Sequence, residues 1–280
     1  MGLEGKIVFA CARVVVPPEI ALDDAGTKSN MKLSIIVPTE KTPDHLVSRC
    51  LRSIGRLCTE HEVITIAGKT LCEARNEGLR HAQGEWVMFV DADDEVLAES
   101  IDAIILETQQ KVDMYIFGVM TKWGRFGTKW YAMPNGDIRA MNHNLTLRYA
   151  WNKIYRRSFL CQHNLLFEIG TEPSEDVIFN LKCMLAKARI RCVDSIGYIY
   201  HKRMGSVMFC HIPTLEAARK RENDLWLEYG MPELRWSASA LKKNIWYNKW
   251  LRGGECRPPI KWRLYHSMIT VRRLLRFVGV

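Results

Sequence analysis

The stretch Glu85–Glu95, EWVMFVDADDE, decides how this chain is read. An apolar run from Trp86 to Val90 stops abruptly at Asp91, Ala92, Asp93 and Asp94. Continuous bulky apolar residues followed by polar ones are the pattern of a strand buried on both faces of a parallel sheet. In open α/β sheets, ligands collect at the carboxyl ends of the strands, which is where these acids fall. Three carboxylates in four residues repel one another unless positive charge lies among them. Hard oxygen donors on a short loop suit Mg2+ or Mn2+, held jointly with a substrate's phosphates. The alternative is a solvated acidic turn that caps a helix starting near Glu95.

The surrounding chain is long enough for the core such a sheet needs. Its 280 residues, 48% apolar and 25% charged, suit one large domain or one domain with an appendage. The nine cysteines include no CxxC pair and no zinc-ligand spacing, which reads as reduced core residues in a cytoplasmic protein. The formal charge of +9 is localised: Met231–Val280 holds eleven Lys or Arg against two Glu, so the preceding residues sum to zero. A neutral body with a basic tail argues against a general nucleic-acid-binding surface. No segment reaches the ~18 uninterrupted apolar residues of a membrane span, and the N-terminus does not read as a signal peptide. Residues 1–30, broken by Pro17-Pro18 and Asp23-Asp24, read as a poorly ordered extension before a start at Met31, with an edge strand over 7–16 as the alternative.

Outward from the acidic stretch, strands and helices alternate. Leu33–Val37 is a β-branched run ending at Pro38, and Thr42-Pro43-Asp44 predicts a helix start with Thr42 as N-cap. Glu62–Ile66 predicts the second strand. Thr70 with Glu73 predicts a capping box, opening a helix that stops at Gly84. Beyond the acids, a helix is predicted through Leu97–Ile105, a strand over Val112–Val119, a hairpin within 123–134, and a strand over Ile190–Tyr200. Helical sequence follows from about Thr214. A second acidic pair, Glu175-Asp176, follows Ser174, a plausible N-cap, which places both acids in a first helical turn. The alternative is ordinary helix-start acids. The predicted fold is α/β, with a mostly parallel central sheet covered by helices on both faces and a helical C-terminal extension.

With both acidic segments placed, the chain resembles the family-2 glycosyltransferases of the GT-A-type, nucleotide-diphospho-sugar transferase fold. The matching stretches are SIIVP (34–38), EARNEGLRHAQGEWVMFVDADD (73–94), WNKIYRRSFL (151–160), SEDVIFNLKCM (174–184) and YIYHKRMGS (198–206). The resemblance implies a catalytic domain over 31–212 and a basic helical region over 213–280. It assigns Asp91 and Asp93 to the DxD motif, with Asp93 the direct ligand of Mg2+ or Mn2+, Asp91 on the ribose or the metal, and Asp94 supporting the loop. Pro38 and Thr39 border the nucleotide, and Arg75 and Asn76 lie near the diphosphate and the acidic loop. Asp176 is the general base, with Glu175 as the fallback. His201, Lys202 and Arg203 either add positive charge near the diphosphate or form a solvated basic turn. Trp151 and Tyr155 either line an acceptor site or pack in the core. Attack by an acceptor hydroxyl opposite the leaving diphosphate implies inversion at the anomeric carbon.

Two departures stand out. Glu40 and Lys41 occupy positions that usually hold an aromatic residue and Asn. Ala67-Gly68-Lys69-Thr70 replaces the acidic stretch that usually contacts the base, and one helix-strand unit is missing there, so UDP is a default. Gly68-Lys69-Thr70 is not a phosphate-binding P-loop, because Val63 stands where that motif needs Gly.

The function this implies is sugar transfer from a nucleotide-diphosphate donor to a glycan or lipid-linked acceptor in surface polysaccharide synthesis. The competing readings are a sugar nucleotidyltransferase and a non-catalytic nucleotide-sugar-binding relative. Residues 261–280 form an amphipathic pattern, with Leu264, Met268, Val271, Leu275 and Val278 on one stripe. That stripe predicts either docking on an anionic membrane surface, peripheral to the inner face of the cell membrane, or packing on the catalytic body.

Overall fold

A computed structural model of the chain describes residues 31–68, 70–108, 111–122, 128–131, 149–202, 215–228 and 230. The expected extension over 1–30 with its alternative edge strand, Arg203, and the amphipathic segment 261–280 all lie outside the described residues.

The first half alternates as the pattern predicts: β1 (Leu33–Pro38), α1 (Asp44–Ile54), β2 (His61–Ile66), α2 (Leu71–His81) and β3 (Trp86–Phe89). Then come β4 (Glu95–Val96), α3 (Ala98–Leu106), β5 (Met114–Lys122), β6 (Thr128–Tyr131), β7 (Lys153–Arg156) and α4 (Arg157–Gln162). α5 (Glu175–Leu185), β8 (Ile190–His201) and α6 (Leu215–Glu228) complete the described elements.

The strands form one sheet in the order β2-β1-β3-β7-β5-β8-β4, with β6 paired to β5. The sheet is mixed. β1 runs parallel to β2 and β3, and β5 runs parallel to β8, while β7 lies antiparallel between β3 and β5. Because side chains alternate across a strand, each face has its own core. Ile36, Val87 and Phe89 point into one cluster with Leu79 of α2, Leu160 of α4, Phe179 of α5 and Trp226 of α6. Ile35, Val37, Trp86, Met88 and Val90 point into the other, with Cys50 and Ile54 of α1 and Ile101 and Ile104 of α3. At ~25 cal/mol per Å2 of apolar surface, these two layers are the main favourable contribution to folding. α2 approaches β1 closely at Gly78, where a Cβ atom would lie 2.3 Å from Ile36 Cγ2. No helix among the described residues is long and apolar enough to cross a membrane.

Three local expectations need correction. Thr42 is not the N-cap of α1: its N–H bonds to Thr39 O in a turn, Lys41 has a positive φ of 58°, and Pro43 takes the capping position. No helix starts near Glu95. Glu95 and Val96 pair with β8 instead, and α3 begins at Ala98, so the acids of 91–94 do not cap a helix. Ser174 does sit at the N-cap of α5, but its side chain does not bond to that helix. The capping box of α2 is present, with Glu73 N to Thr70 Oγ1 at 3.2 Å and Thr70 N to Glu73 Oε2 at 2.9 Å.

Candidate active site

β1 and β3 lie side by side with Ile36 opposite Phe89, so continuing the register brings Pro38 level with Asp91 at the carboxyl edge of the sheet. Thr39 N extends the β1–β2 ladder by bonding to Ile66 O at 2.9 Å. The acidic loop is braced from β8 and α1. Asp94 is fully buried and accepts from Tyr198 Oη at 2.9 Å and from His201 N at 2.7 Å. The same Tyr198 oxygen accepts from Asp91 N at 3.1 Å. Asp93 O accepts from Arg49. Burial, with Asp91 and Asp93 adding to it, holds the Asp94 carboxyl well above the ordinary range. The Asp94 carboxyl is thus taken up in bracing the loop against β8.

The centre of the site is Arg75. It sits on α2 with its side chain 1% exposed. Nη2 donates to Asp91 Oδ1 at 3.0 Å, Nη1 donates to Asp176 Oδ1 at 2.5 Å, and Glu175 Oε1 lies 3.7 Å from Nη1. The guanidinium also rests over the Phe167 ring, 5.0 Å from its centroid. Burial alone lowers its pKa, but Asp176, Asp91 and Glu175 overcome that, and the group lies above its usual value. A charge this deep is tolerable only when paired, and here one cation joins acids from two distant segments.

Asp176 uses its other oxygen to accept from Ala150 N at 2.9 Å. Glu175 differs: its Oε2 has no hydrogen-bond partner among the described residues. Burial, and next the charge of Asp176, push Glu175 up to about 8, against the pull of Arg75. Burial likewise raises Asp91 to about 6, with Asp176 and Asp93 adding to it and Arg75 opposing. The site carries more negative charge than Arg75 neutralises.

The other predicted residues have different neighbours. Asn76 is buried with its amide clamped to Phe167: Nδ2 to Phe167 O at 2.8 Å, and Phe167 N to Oδ1 at 2.8 Å. His201 has its ring on Glu95 Oε1 at 2.6 Å, and burial lowers its pKa. Trp151 is buried in a stack, with Tyr149 at 4.5 Å and Tyr198 at 4.4 Å between centroids. Tyr155 is fully buried and donates to Asn180 Oδ1 at 2.8 Å. For Trp151 and Tyr155, then, core packing is the observed arrangement.

Sequence reasoning passed over Tyr198, Phe167 and Lys153. Lys153 is fully buried on β7 and donates to Tyr149 O and to Asn152 Oδ1, the latter at 2.8 Å. Burial pushes it down to about 7, against the charge of Asp176.

The residues present fit a divalent cation of the kind that binds with its substrate. Among the described residues, no three His, Cys, Asp or Glu side chains form a ready-made cage. Mg2+ and Mn2+, however, usually take only one or two carboxylates and complete their shell with water and substrate phosphates. Asp91 and Asp93 offer carboxylate oxygens of that kind at the carboxyl edge of the sheet.

The mixed sheet with its covering helices has the GT-A type of fold, shared with solved structures of S. aureus TarS. Residues 60–171 match the model of Glycosyl transferase family 2. The "Uncharacterized glycosyltransferase EpsJ" of Bacillus subtilis is 24% identical over 202 residues, 68% of this chain and 58% of that protein. The "Poly(ribitol-phosphate) beta-N-acetylglucosaminyltransferase TarS" of Staphylococcus aureus is 28% identical over 212 residues, 64% of this chain and 37% of that protein. The chain thus spans about half the length of the curated relatives it matches. In fold it is similar to the crystal structure of S. aureus TarS 1–349 in complex with UDP-GlcNAc. The TM-score is 0.54 at 20% identity, over 79% of this chain and 73% of that one.

Proposed function

We propose that the chain transfers a sugar from a nucleotide-diphosphate donor, with a UDP-sugar the first to test, to a glycan or lipid-linked acceptor, inverting the anomeric carbon. One observation carries the reading: buried Arg75 ties Asp91 of one acidic segment to Asp176 of the other, so both belong to one site. The S. aureus relative named for poly(ribitol-phosphate) substitution supports a surface-glycan acceptor, and the fold likeness to a UDP-GlcNAc complex supports the donor.

In this reading Asp91 and Asp93 hold Mg2+ or Mn2+, which when bound supplies neutralising charge for the departing diphosphate. Pro38 and Thr39, level with Asp91, border the nucleotide. Arg75 is too buried to grip the diphosphate and instead fixes Asp91 and Asp176 relative to each other. Asp176, ion-paired to Arg75, is the base that takes the acceptor hydroxyl's proton. Glu175, whose carboxyl burial and the neighbouring Asp176 push upward, is the less ready of the two to act as the ionised base. Residues 261–280 are assigned to docking on an anionic membrane surface, so a chain truncated before Lys261 is expected to leave anionic vesicles that the full chain binds.

The test is a thermal-shift and calorimetric screen of UDP-, GDP-, ADP- and CMP-sugars with and without Mn2+. A ligand at about one hundred times its Kd adds ~2.7 kcal/mol to stability. The expected outcome is a Mn2+-dependent shift with one nucleotide class, followed by slow donor hydrolysis. No shift with any of them defeats the proposal.

A further inference from the structure

α6 lies after the catalytic segments in sequence, yet it is built into the wall behind them. Ala218, Leu225 and Trp226 are buried, the latter two in the same core as Phe179 and Leu181 of α5. Its polar side chains reach the segment that leads into α5. Glu222 Oε2 accepts from Ser174 Oγ at 2.9 Å, and Arg219 Nη1 donates to Ser174 Oγ at 3.0 Å and to Glu222 Oε2 at 2.6 Å. Arg221, between them in sequence, donates from Nε to Glu168 Oε1 at 2.9 Å.

Ser174 is the joint. It is fully buried at the N-cap of α5, where a serine ordinarily bonds to an N–H of its own first turn. Here that local bond is absent, and the hydroxyl is held from both sides by another helix. The next two residues are Glu175 and Asp176, and the first intrahelical bond, Ile178 N to Ser174 O at 2.9 Å, starts from the same residue. Whatever fixes Ser174 therefore fixes the tilt and rotation of the turn that aims Asp176 at Arg75. The pairing is also costly. Arg219 and Glu222 have side chains only 15% and 9% exposed, and apolar residues of similar size would fill the space without desolvating two charges. What apolar contact lacks is direction, which the hydrogen bonds of Arg219 and Glu222 to the Ser174 hydroxyl provide.

We infer that α6 is a positioning helix for the catalytic acids, in which Arg219 and Glu222 lock Ser174 and thereby hold the first turn of α5 against Arg75. The inference rests on the reading of Asp176 as the base. In well-oriented sites a displacement of ~1 Å can lower rate by about a hundredfold, so a small loosening of this turn is felt in turnover.

The test compares Ser174→Ala, Glu222→Gln and, as a stability-matched control in the opposite core, Ile104→Val. Ser174→Ala removes the joint but leaves Arg219 and Glu222 paired with each other. Glu222→Gln keeps an oxygen that can accept from Ser174. Two readouts are taken on the full chain: hydrogen exchange of the amides at 175–178, and hydrolysis of UDP-N-acetylglucosamine with Mn2+, separated into kcat and KM. For Ser174→Ala, exchange in that turn is expected to rise about tenfold, as for loss of one buried hydrogen bond, and kcat to fall by a similar factor with donor KM nearly unchanged. Glu222→Gln is expected to retain most of both, and Ile104→Val to change neither. Unchanged exchange at 175–178, or a kcat loss no larger than that of the control at equal Tm, overturns the inference. If the parent protein hydrolyses no donor, the donor reading fails, while the exchange comparison still decides whether α6 holds α5.

Discussion

Replacing Arg75 by Met tests the centre of the site, because it keeps the length and apolar stem of the side chain and deletes its charge. Arg75 is 1% exposed and faces Asp176 at 2.5 Å, Asp91 at 3.0 Å and Glu175 at 3.7 Å. Removing one member of a buried ion pair costs about 3–5 kcal/mol, because the remaining charge is left desolvated and unpaired. Here the remaining charges are carboxylates, and protonation can relieve them, so the cost depends on pH. Even with Arg75 present, Glu175 is raised from 4.5 to about 8 and Asp91 from 3.8 to about 6. A carboxyl raised in the folded state binds more protons folded than unfolded across the interval between its two values. Its contribution to stability is therefore full below the unfolded value and is lost as pH rises through the folded one, by at most about 1.4 kcal/mol per pH unit per group. Deleting Arg75 widens that interval for Glu175 and Asp91, whose values it holds down. Urea unfolding in EDTA should therefore show a loss of about 1–2 kcal/mol at pH 5 growing to about 3–5 kcal/mol at pH 8, with an unchanged denaturant slope. An equal loss at both pH values, or a loss below about 1 kcal/mol at pH 8, refutes the idea that one guanidinium pairs with both acidic segments.

Asp93→Ala is expected to abolish the Mn2+-dependent part of nucleotide-sugar binding in calorimetry while leaving the fold intact; unchanged affinity removes the metal assignment. Asp176→Asn is expected to spare donor binding and lower turnover by about 10²–10⁴, whereas near-normal turnover means another group is the base. In Glu175→Gln the side chain no longer ionises, so the fall in stability between pH 5 and 8 should become shallower than in the parent; identical slopes would show that Glu175 is not the group titrating there. Gly78→Ala places a methyl where Ile36 Cγ2 already stands 2.3 Å away, and is expected to cost about 1–3 kcal/mol by urea midpoint. A neutral result there means that α2 and β1 are further apart than described.

What could be read from the chain in advance divides along a physical line. The strand ending in Asp91–Asp94 was legible because burial on both faces leaves a continuous apolar run, and the Thr70–Glu73 box because its two bonds close within four residues. Both are local. The antiparallel insertion of β7 between β3 and β5 was not legible, since nothing in Lys153–Arg156 records which strands lie on either side. The same limit hid the interior of the site. Arg75 was named as a site residue by resemblance, but its burial depends on partners at Asp91, Glu175 and Asp176, and the bond to Asp176 is not written in CEARNEG. Ser174 was placed correctly as an N-cap, but its partner lies 48 residues away on α6. A buried polar group needs compensation from elsewhere in the fold, so the less a residue's surroundings can be read from its sequence neighbours, the more its burial reports a contact that only the folded chain supplies. That is why the acids and Arg75 could be named from the sequence, while the bridge Arg75 makes between the two acidic segments and the helix packed behind them became visible only in three dimensions.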